Sequence, residues 1–354
     1  MKHFGWRFGA ALAAVAAAVA VAAAAAVSAG GGYTVTNLVS DQAGHAAHVD
    51  ASLVNAWGLA ALPASPWWVS DNGTSVSTLY DAAGDKIPLT VSVRDAPSGL
   101  VANAGGDFVV SHDGVSGPAL FIFSSESGKI RGWNPTVSTP EAIVAVDRSS
   151  DGAIYKGLAI ASTPQGARLY ATDFHNGRVD VFDGHFNRIA SPGAFVDRDI
   201  PAGYAPFGIQ TLGSSVFVTY AQQDADRHDD VAGPGKGFVD AFDTSGKLLG
   251  RVASRGTLNS PWGLAWAPAG FGPFAGDLLV GNFGDGRINA FRPHDGTFSF
   301  AGQLASNGEP ITIDGLWALQ FGHGEPANGS TGTLFFTAGP DHESHGLFGT
   351  ITAG

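Results

Sequence analysis

The feature that most constrains this chain is an internal repeat. Six short segments share one pattern: Ala56-Trp57-Gly58-Leu59, Pro97-Ser98-Gly99-Leu100, Tyr155-Lys156-Gly157-Leu158, Pro206-Phe207-Gly208-Ile209, Pro261-Trp262-Gly263-Leu264 and Ile313-Asp314-Gly315-Leu316. Their glycines lie 41, 58, 51, 55 and 52 residues apart. Most copies continue alike. A short apolar strand ends in Ser, Thr or Gly, a polar turn follows, and another strand ends near Phe-Asp. The clearest copy spans residues 168–183, and residues 277–291 echo it. A period near fifty residues with about four short strands is the signature of a propeller blade. One four-stranded blade cannot bury both faces, so the copies must close into a ring. The glycine opening each innermost strand is expected where backbones crowd a central channel. Solenoid repeats are shorter, and a sandwich need not repeat at all. The expected fold is therefore all-β, a six-bladed β-propeller.

The two ends of the chain point to ring closure. The last unit offers three strands, at residues 317–321, 333–337 and 347–351, while residues 33–39 form an orphan alternating strand before the first repeat. Pairing the orphan with the last blade would remove two exposed sheet edges. Residues 30–354 are thus expected to form one propeller domain, the last blade closed by the N-terminal strand. A closed ring has no edge that demands pairing, so a monomer is expected.

Residues 1–29 read as a signal peptide. Lys2 and Arg7 supply a positive start, residues 9–27 are almost all Ala and Val, and Val27-Ser28-Ala29 offers small residues for cleavage after Ala29. A membrane anchor is the rival reading of so long an apolar run, but no basic stop-transfer cluster follows. Export to the periplasm or the cell exterior is the expectation. There is no cysteine, so neither disulfides nor thiolate metal sites are available. The formal charge is −12 with only 19 Lys and Arg, which argues against nucleic acid and anionic membrane surfaces as partners.

Several runs carry a family resemblance: Asn37-Leu38-Val39-Ser40-Asp41, residues 53–60, Lys129-Ile130-Arg131-Gly132-Trp133-Asn134-Pro135, residues 173–177 and Gly346-Leu347-Phe348-Gly349. Together they resemble an uncharacterised family of secreted bacterial six-bladed propellers, some with PEP-CTERM sorting tails. The resemblance covers nearly the whole mature chain and implies the fold without an activity. No Pro-Glu-Pro tail stands before Gly354, so surface sorting by such a tail is not implied. More distantly the repeat is similar to NHL-type and gluconolactonase-like propellers, a likeness of fold that says little about chemistry.

Candidate site residues follow from blade geometry. Turns after the second strand share a face with the start of the innermost strand, so both should project toward one axial opening. The turns supply Asp71, Asn72, Ser125, Glu126, Asp173, His175, Tyr220, Gln222, Asn282 and Ala338. The strand starts supply Trp57, Lys156, Phe207, Trp262 and Asp314. An acidic, amide-rich centre rimmed by aromatics would result. Ligand-binding candidates are Trp57, Asn72, Phe207, Tyr220, Gln222, Trp262 and His342. Asp71, Glu126, Asp173 and Asn282 offer the oxygen ligands that Ca²⁺ prefers, with His175 as a general base. The competing reading is that these Asp and Asn residues simply close turns.

Two inserts break the repeat, Gly339-Pro340-Asp341-His342-Glu343-Ser344-His345-Gly346 and Asp224-Ala225-Asp226-Arg227-His228-Asp229-Asp230. Neither carries a complete zincin or EF-hand pattern, and both also read as solvated loops. No nucleophile elbow, Walker loop or dinucleotide fingerprint is present. Two functions remain: binding of a small molecule, carbohydrate or protein partner at the central face, or Ca-dependent lactonase-like hydrolysis.

Overall fold

The computed structural model describes residues 32–354, so the signal-peptide reading of residues 1–29 lies outside the described residues. Six blades form the ring: five are four-stranded antiparallel sheets, and the sixth has four antiparallel strands with the two-residue strand His48–Val49 added in parallel at its outer edge. Blade 1 runs Ala56–Ala60, Trp67–Asp71, Val76–Tyr80, Lys86–Ser92. Blade 2 runs Pro97–Ala102, Phe121–Ser125, Lys129–Trp133, Ile143–Asp147, with a hairpin of Val109–His112 and Val115–Pro118 after its first strand. Blade 3 is Tyr155–Thr163, Gly166–Asp173, Arg178–Asp183, Arg188–Ile189. Blade 4 is Tyr204–Leu212, Ser215–Gln222, Phe238–Asp243, Leu248–Ser254. Blade 5 is Pro261–Trp266, Leu278–Asn282, Ile288–His294, Thr297–Gln303. Blade 6 takes Leu316–Phe321, Thr333–Ala338 and Leu347–Ala353 from the C-terminal end and Tyr33–Ser40 from the N-terminal end. Tyr33 pairs with Ala353 and Ser40 with Leu347, which closes the ring as expected.

The conserved register of the innermost strands explains the repeat. In every blade this strand carries a bulge at the same place, so that two residues oppose one on the second strand. The bulged pairs are Trp57-Gly58, Ser98-Gly99, Lys156-Gly157, Phe207-Gly208, Trp262-Gly263 and Trp317-Ala318. A Cβ added at Gly58, Gly208 or Gly263 would stand far inside van der Waals contact with the backbone oxygen of Ser98, Trp262 or Trp317 on the next blade. Glycine is required by this close approach.

The residue opposite each bulge explains the Ser/Thr at the end of the second strand. Thr172 Oγ1 accepts from Gly157 N–H (2.7 Å) and donates to the Phe207 carbonyl of the next blade (2.7 Å). Thr337 Oγ1 likewise accepts from Ala318 N–H and donates to the Trp57 carbonyl, joining blade 6 to blade 1.

The sixth copy is corrected by this register. The expected segment, residues 313–316, precedes the strand, and its Gly315 (φ 65°) is a turn residue. The true equivalent begins three residues later, with Trp317 in place of Asp314 and Ala318 in the glycine's position.

Apolar side chains fill the six seams between neighbouring blades, one cluster per seam. Strand alternation sorts them. In blade 1, Trp67 and Val69 face the seam with blade 6, while Trp68 faces blade 2. A seventh cluster lies on the ring axis: Trp57, Phe174, Phe207 and Trp317 are buried there, with Trp262 and Phe283 packed against them.

Candidate functional site at the axial mouth

The bulges turn the residue before each glycine toward the axis. Five such positions hold Trp57, Ser98, Phe207, Trp262 and Trp317; the sixth holds Lys156. The aromatics pack closely. Trp57 stacks on Trp317 (centroids 3.9 Å apart, planes 19° apart), Phe283 stacks on the same indole (4.0 Å, 18°), and Trp262 meets Trp317 edge-on at 5.8 Å. Lys156 is buried with them, its Nζ 5.2 Å from the Trp57 ring centroid, within cation–π range.

Polar groups from the surrounding blades converge on that lysine. Lys156 Nζ donates to Glu126 Oε1 (2.5 Å) from blade 2 and to Asp229 Oδ1 (2.9 Å) from the insert in blade 4. Asn72 Nδ2 in blade 1 donates to the other Glu126 oxygen (2.9 Å). Asn55 Nδ2 donates to Asn72 Oδ1 (3.2 Å) and to Glu343 Oε2 (2.6 Å) from the insert in blade 6. Asn55 Oδ1 accepts from Trp317 Nε1 (2.9 Å), tying the polar network to its aromatic floor. Asn55 adopts φ 47°, a left-handed conformation that asparagine tolerates better than most residues. The indole N–H groups of Trp57 and Trp262 are buried with no partner.

The electrostatics follow from crowding four carboxyls around one ammonium. Burial pulls the Lys156 pKa down, but Glu126 and Asp229 outweigh it and the net shift is upward. Burial alone would raise Asp229; Lys156 and His228 reverse that, and the group is held below the usual range. Glu343 and Asp230 move the other way. Burial raises both, opposed only in part by the Asn55 amide at Glu343, by Ser260 at Asp230 and, less, by Lys156 at each. The site therefore pairs a fixed Lys–carboxylate core with two carboxyls that hold a proton more readily than usual.

Of the sequence candidates, Trp57, Asn72, Glu126, Phe207 and Trp262 lie in this assembly. The proposed calcium ligands do not come together. Asp71 is wholly buried in the seam between blades 6 and 1, on the same strand face as Trp67 and Val69. Its two oxygens have no hydrogen-bond partner, and burial raises its pKa well above the usual range. Asp173 faces the seam between blades 2 and 3, bonded to Asn176 (2.8 Å) and bridged to Arg178 (3.0 Å). Burial is the largest influence on Asp173 and raises it, partly opposed by Asn176 and Arg178. Asn282 donates to the Thr257 carbonyl (2.8 Å) and to Asp285 (2.9 Å). Three of the four thus belong to three different seams. The bulge sits on the innermost strand alone, so the last residue of the second strand keeps its seam-facing side while the innermost strand turns inward.

The remaining candidates are dispersed. Tyr220 packs in the seam between blades 3 and 4, its hydroxyl unpartnered. Gln222 is half-buried at the end of its strand, and its neighbour Gln223 donates to the Phe174 carbonyl (2.6 Å). His175 is half-buried with Nδ1 unpartnered, and His342 is exposed. Among the described residues, Glu126, His228 and Asp229 bring possible ligand atoms within 4.8 Å of one another. Lys156 is already bonded to two of them.

No family model matches the chain. It is 35% identical over 333 residues to Uncharacterized protein L690 of Acanthamoeba polyphaga mimivirus, covering 90% of this chain and 85% of the relative. Uncharacterized protein R648 of the same virus is 34% identical over 333 residues, covering 90% and 80%. The chain belongs to the family of these mimivirus proteins. The relatives are viral, whereas the sequence runs resembled bacterial secreted propellers. Among solved structures, virginiamycin B lyase of Staphylococcus aureus superposes with a TM-score of 0.53 at 12% identity, covering 91% of this chain and 99% of the lyase. At that identity the likeness establishes the propeller fold and leaves the chemistry open.

Proposed function

We propose that this protein is a ligand-binding propeller whose site is the axial mouth around Lys156, and that it takes a small hydroxyl-rich ligand of the sugar type. One observation carries the reading. The side chain of Lys156 is 2% exposed and spans carboxylates from two other blades. A propeller needs no such group there. The other axial positions are filled by aromatics or serine, and an apolar substitute for a buried ion pair is often neutral or stabilising. Buried charge present in place of that alternative, beside neighbours whose pKa values are perturbed, is a mark of function. Carboxylates, amides and free indole N–H groups over aromatic rings match the hydroxyls and apolar faces of a sugar.

The insert carrying Asp229 closes over Lys156, and Asp229 is itself 63% exposed. Ligand entry would lift this insert and exchange Asp229 for ligand hydroxyls. Titrating the protein with mono- and oligosaccharides while following tryptophan emission tests this, because Trp57, Trp262 and Trp317 surround the lysine. The reading predicts a saturable change that Lys156→Met removes. Equal responses from wild type and variant would refute it. The apolar run in residues 9–27 supports a site of action outside the cytoplasm.

A metal-dependent hydrolase is a second reading, favoured by the grouping of Glu126, His228 and Asp229. A nitrogen ligand beside two carboxylates suits Zn²⁺ better than Ca²⁺, and the ion would have to displace the Lys156 ammonium. Elemental analysis and melting curves with Zn²⁺ and Ca²⁺ test it, since a bound ion raises the melting temperature. This reading also requires Lys156→Ala to strengthen metal binding.

A further inference from the structure

A pocket lies beside the closing strand of the ring. It has a volume of about 660 Å³, between the closing strand, the segment joining blades 5 and 6, and the insert in blade 6. That volume falls within the range of small-molecule sites. One wall is apolar, formed by Val35, Ile311, Ile313 and Leu347; the other is polar and acidic, with Asp314, Asp341 and His345. None of the lining residues is Lys or Arg.

The polar wall is built around a fixed histidine. His345 Nδ1 lies 2.8 Å from Asp41 Oδ2, and the other Asp41 oxygen accepts from the Gly346 N–H at 2.9 Å. A carboxylate held at Nδ1 fixes the ring, and in the tautomer that donates from Nδ1 to Asp41 the Nε2 is an acceptor. Asp341 Oδ2 stands 4.0 Å from that Nε2, too far for a hydrogen bond. The Asp341 backbone N–H is anchored in turn to Asp314 Oδ2 (2.8 Å). Asp341, His342 and Glu343 all have left-handed backbones (φ 53°, 55° and 66°), a conformation whose cost the local structure must offset.

We propose that this pocket binds a primary organic ammonium with an apolar body. His345 Nε2 and Asp341 Oδ2 stand 4.0 Å apart, so an ammonium nitrogen seated about 2 Å to the side of the line joining them lies at about 2.8 Å from both, an ordinary hydrogen-bond length. Its positive charge meets Asp314 and Asp341 with no Lys or Arg on the wall, and its hydrocarbon lies against Val35, Ile311, Ile313 and Leu347. A quaternary ammonium has the charge but no N–H to donate. An alcohol donates but has no charge, and a carboxylate is repelled.

Calorimetric titration of the whole protein with benzylammonium, benzyltrimethylammonium, benzyl alcohol and benzoate separates these cases. Benzylammonium should bind at least about tenfold tighter than the quaternary analogue or the alcohol, and benzoate should give no heat. Asp341→Asn keeps a residue that tolerates φ above zero, and should weaken benzylammonium about tenfold or more without moving the melting temperature. His345→Gln should act in the same direction. The proposal fails if benzylammonium gives no heat at about 10 mM, if the alcohol binds as well, or if Asp341→Asn binds like the wild type.

Discussion

Replacing Lys156 with methionine tests whether the axial charges are truly withdrawn from water. Methionine keeps the length and the apolar contact with Trp57 but removes the ammonium. Breaking a buried ion pair by removing one partner costs about 3–5 kcal/mol, because the other charge is stranded. Here the strandings are unequal. The Asp229 side chain is 63% exposed and can turn to water, whereas Glu126 is 16% exposed and keeps only the Asn72 amide. One stranded carboxylate puts the loss near the lower end, about 3 kcal/mol. For a domain of this size that is a fall of roughly 4 °C in melting temperature. The double variant Lys156→Met with Glu126→Gln removes both charges and leaves the Asn72 hydrogen bond possible. It should recover to within about 1 kcal/mol of the wild type or exceed it. Urea unfolding of wild type, both single variants and the double variant, run as a cycle, measures the coupling. A Lys156→Met protein as stable as the wild type, with no gain from adding Glu126→Gln, would show a solvated site and refute the reasoning.

Three further outcomes follow from the blade geometry. Gly208→Ala drives a methyl into the Trp262 carbonyl of the next blade and should cost about 1–3 kcal/mol by denaturant titration, whereas Ala318→Gly, at the one roomier position, should cost about 1 kcal/mol or less. Thr337→Val leaves the Ala318 N–H without its acceptor at the joint between blades 6 and 1, an expected loss of about 1–3 kcal/mol by the same measurement. Asp240 is raised from 3.8 to about 6, chiefly by burial and despite its bridge to Arg251. Its folded form therefore binds more protons than the unfolded chain between those values, so its contribution to stability falls as pH rises from about 4 to about 6. Asp240→Asn should flatten that part of a stability-against-pH curve, and an unchanged slope would count against the shift.

Where the sequence was readable, a backbone contact demanded one residue type. The Gly-Leu motif marks a bulge pressed against the next blade, and the Ser or Thr opposite marks a hydroxyl that ties two blades together. The sixth copy misled because Gly315 is glycine for a different reason, a left-handed turn, while the crowded position accepts Ala318. The site was harder. Asp71, Asp173 and Asn282 were visible as a recurring polar position, but which side of the strand they occupy depends on a bulge that composition does not reveal. Asp229 and Glu343 lie in inserts without counterparts in the other copies, and Asn55 stands where the other copies carry Ala96, Ile154, Ala205, Ser260 and Gly315, so no periodic signal marks any of the three. Lys156 stood among the strand-opening residues, and a lone lysine where the other copies carry aromatics or serine was the clue most open to reading.

The strand at Tyr33–Ser40 is made before the five contiguous blades and paired after them. Its partner, Leu347–Ala353, is more than three hundred residues downstream, so blade 6 cannot assemble until all five other blades have been made. Bringing such distant ends together carries a large loop-closure cost, although that cost grows only logarithmically with length. The five contiguous blades can form in order as the chain lengthens, while the latch must wait. Until then two raw sheet edges stand open, so the moment of greatest vulnerability to strand-swapped pairing falls just before the ring snaps shut.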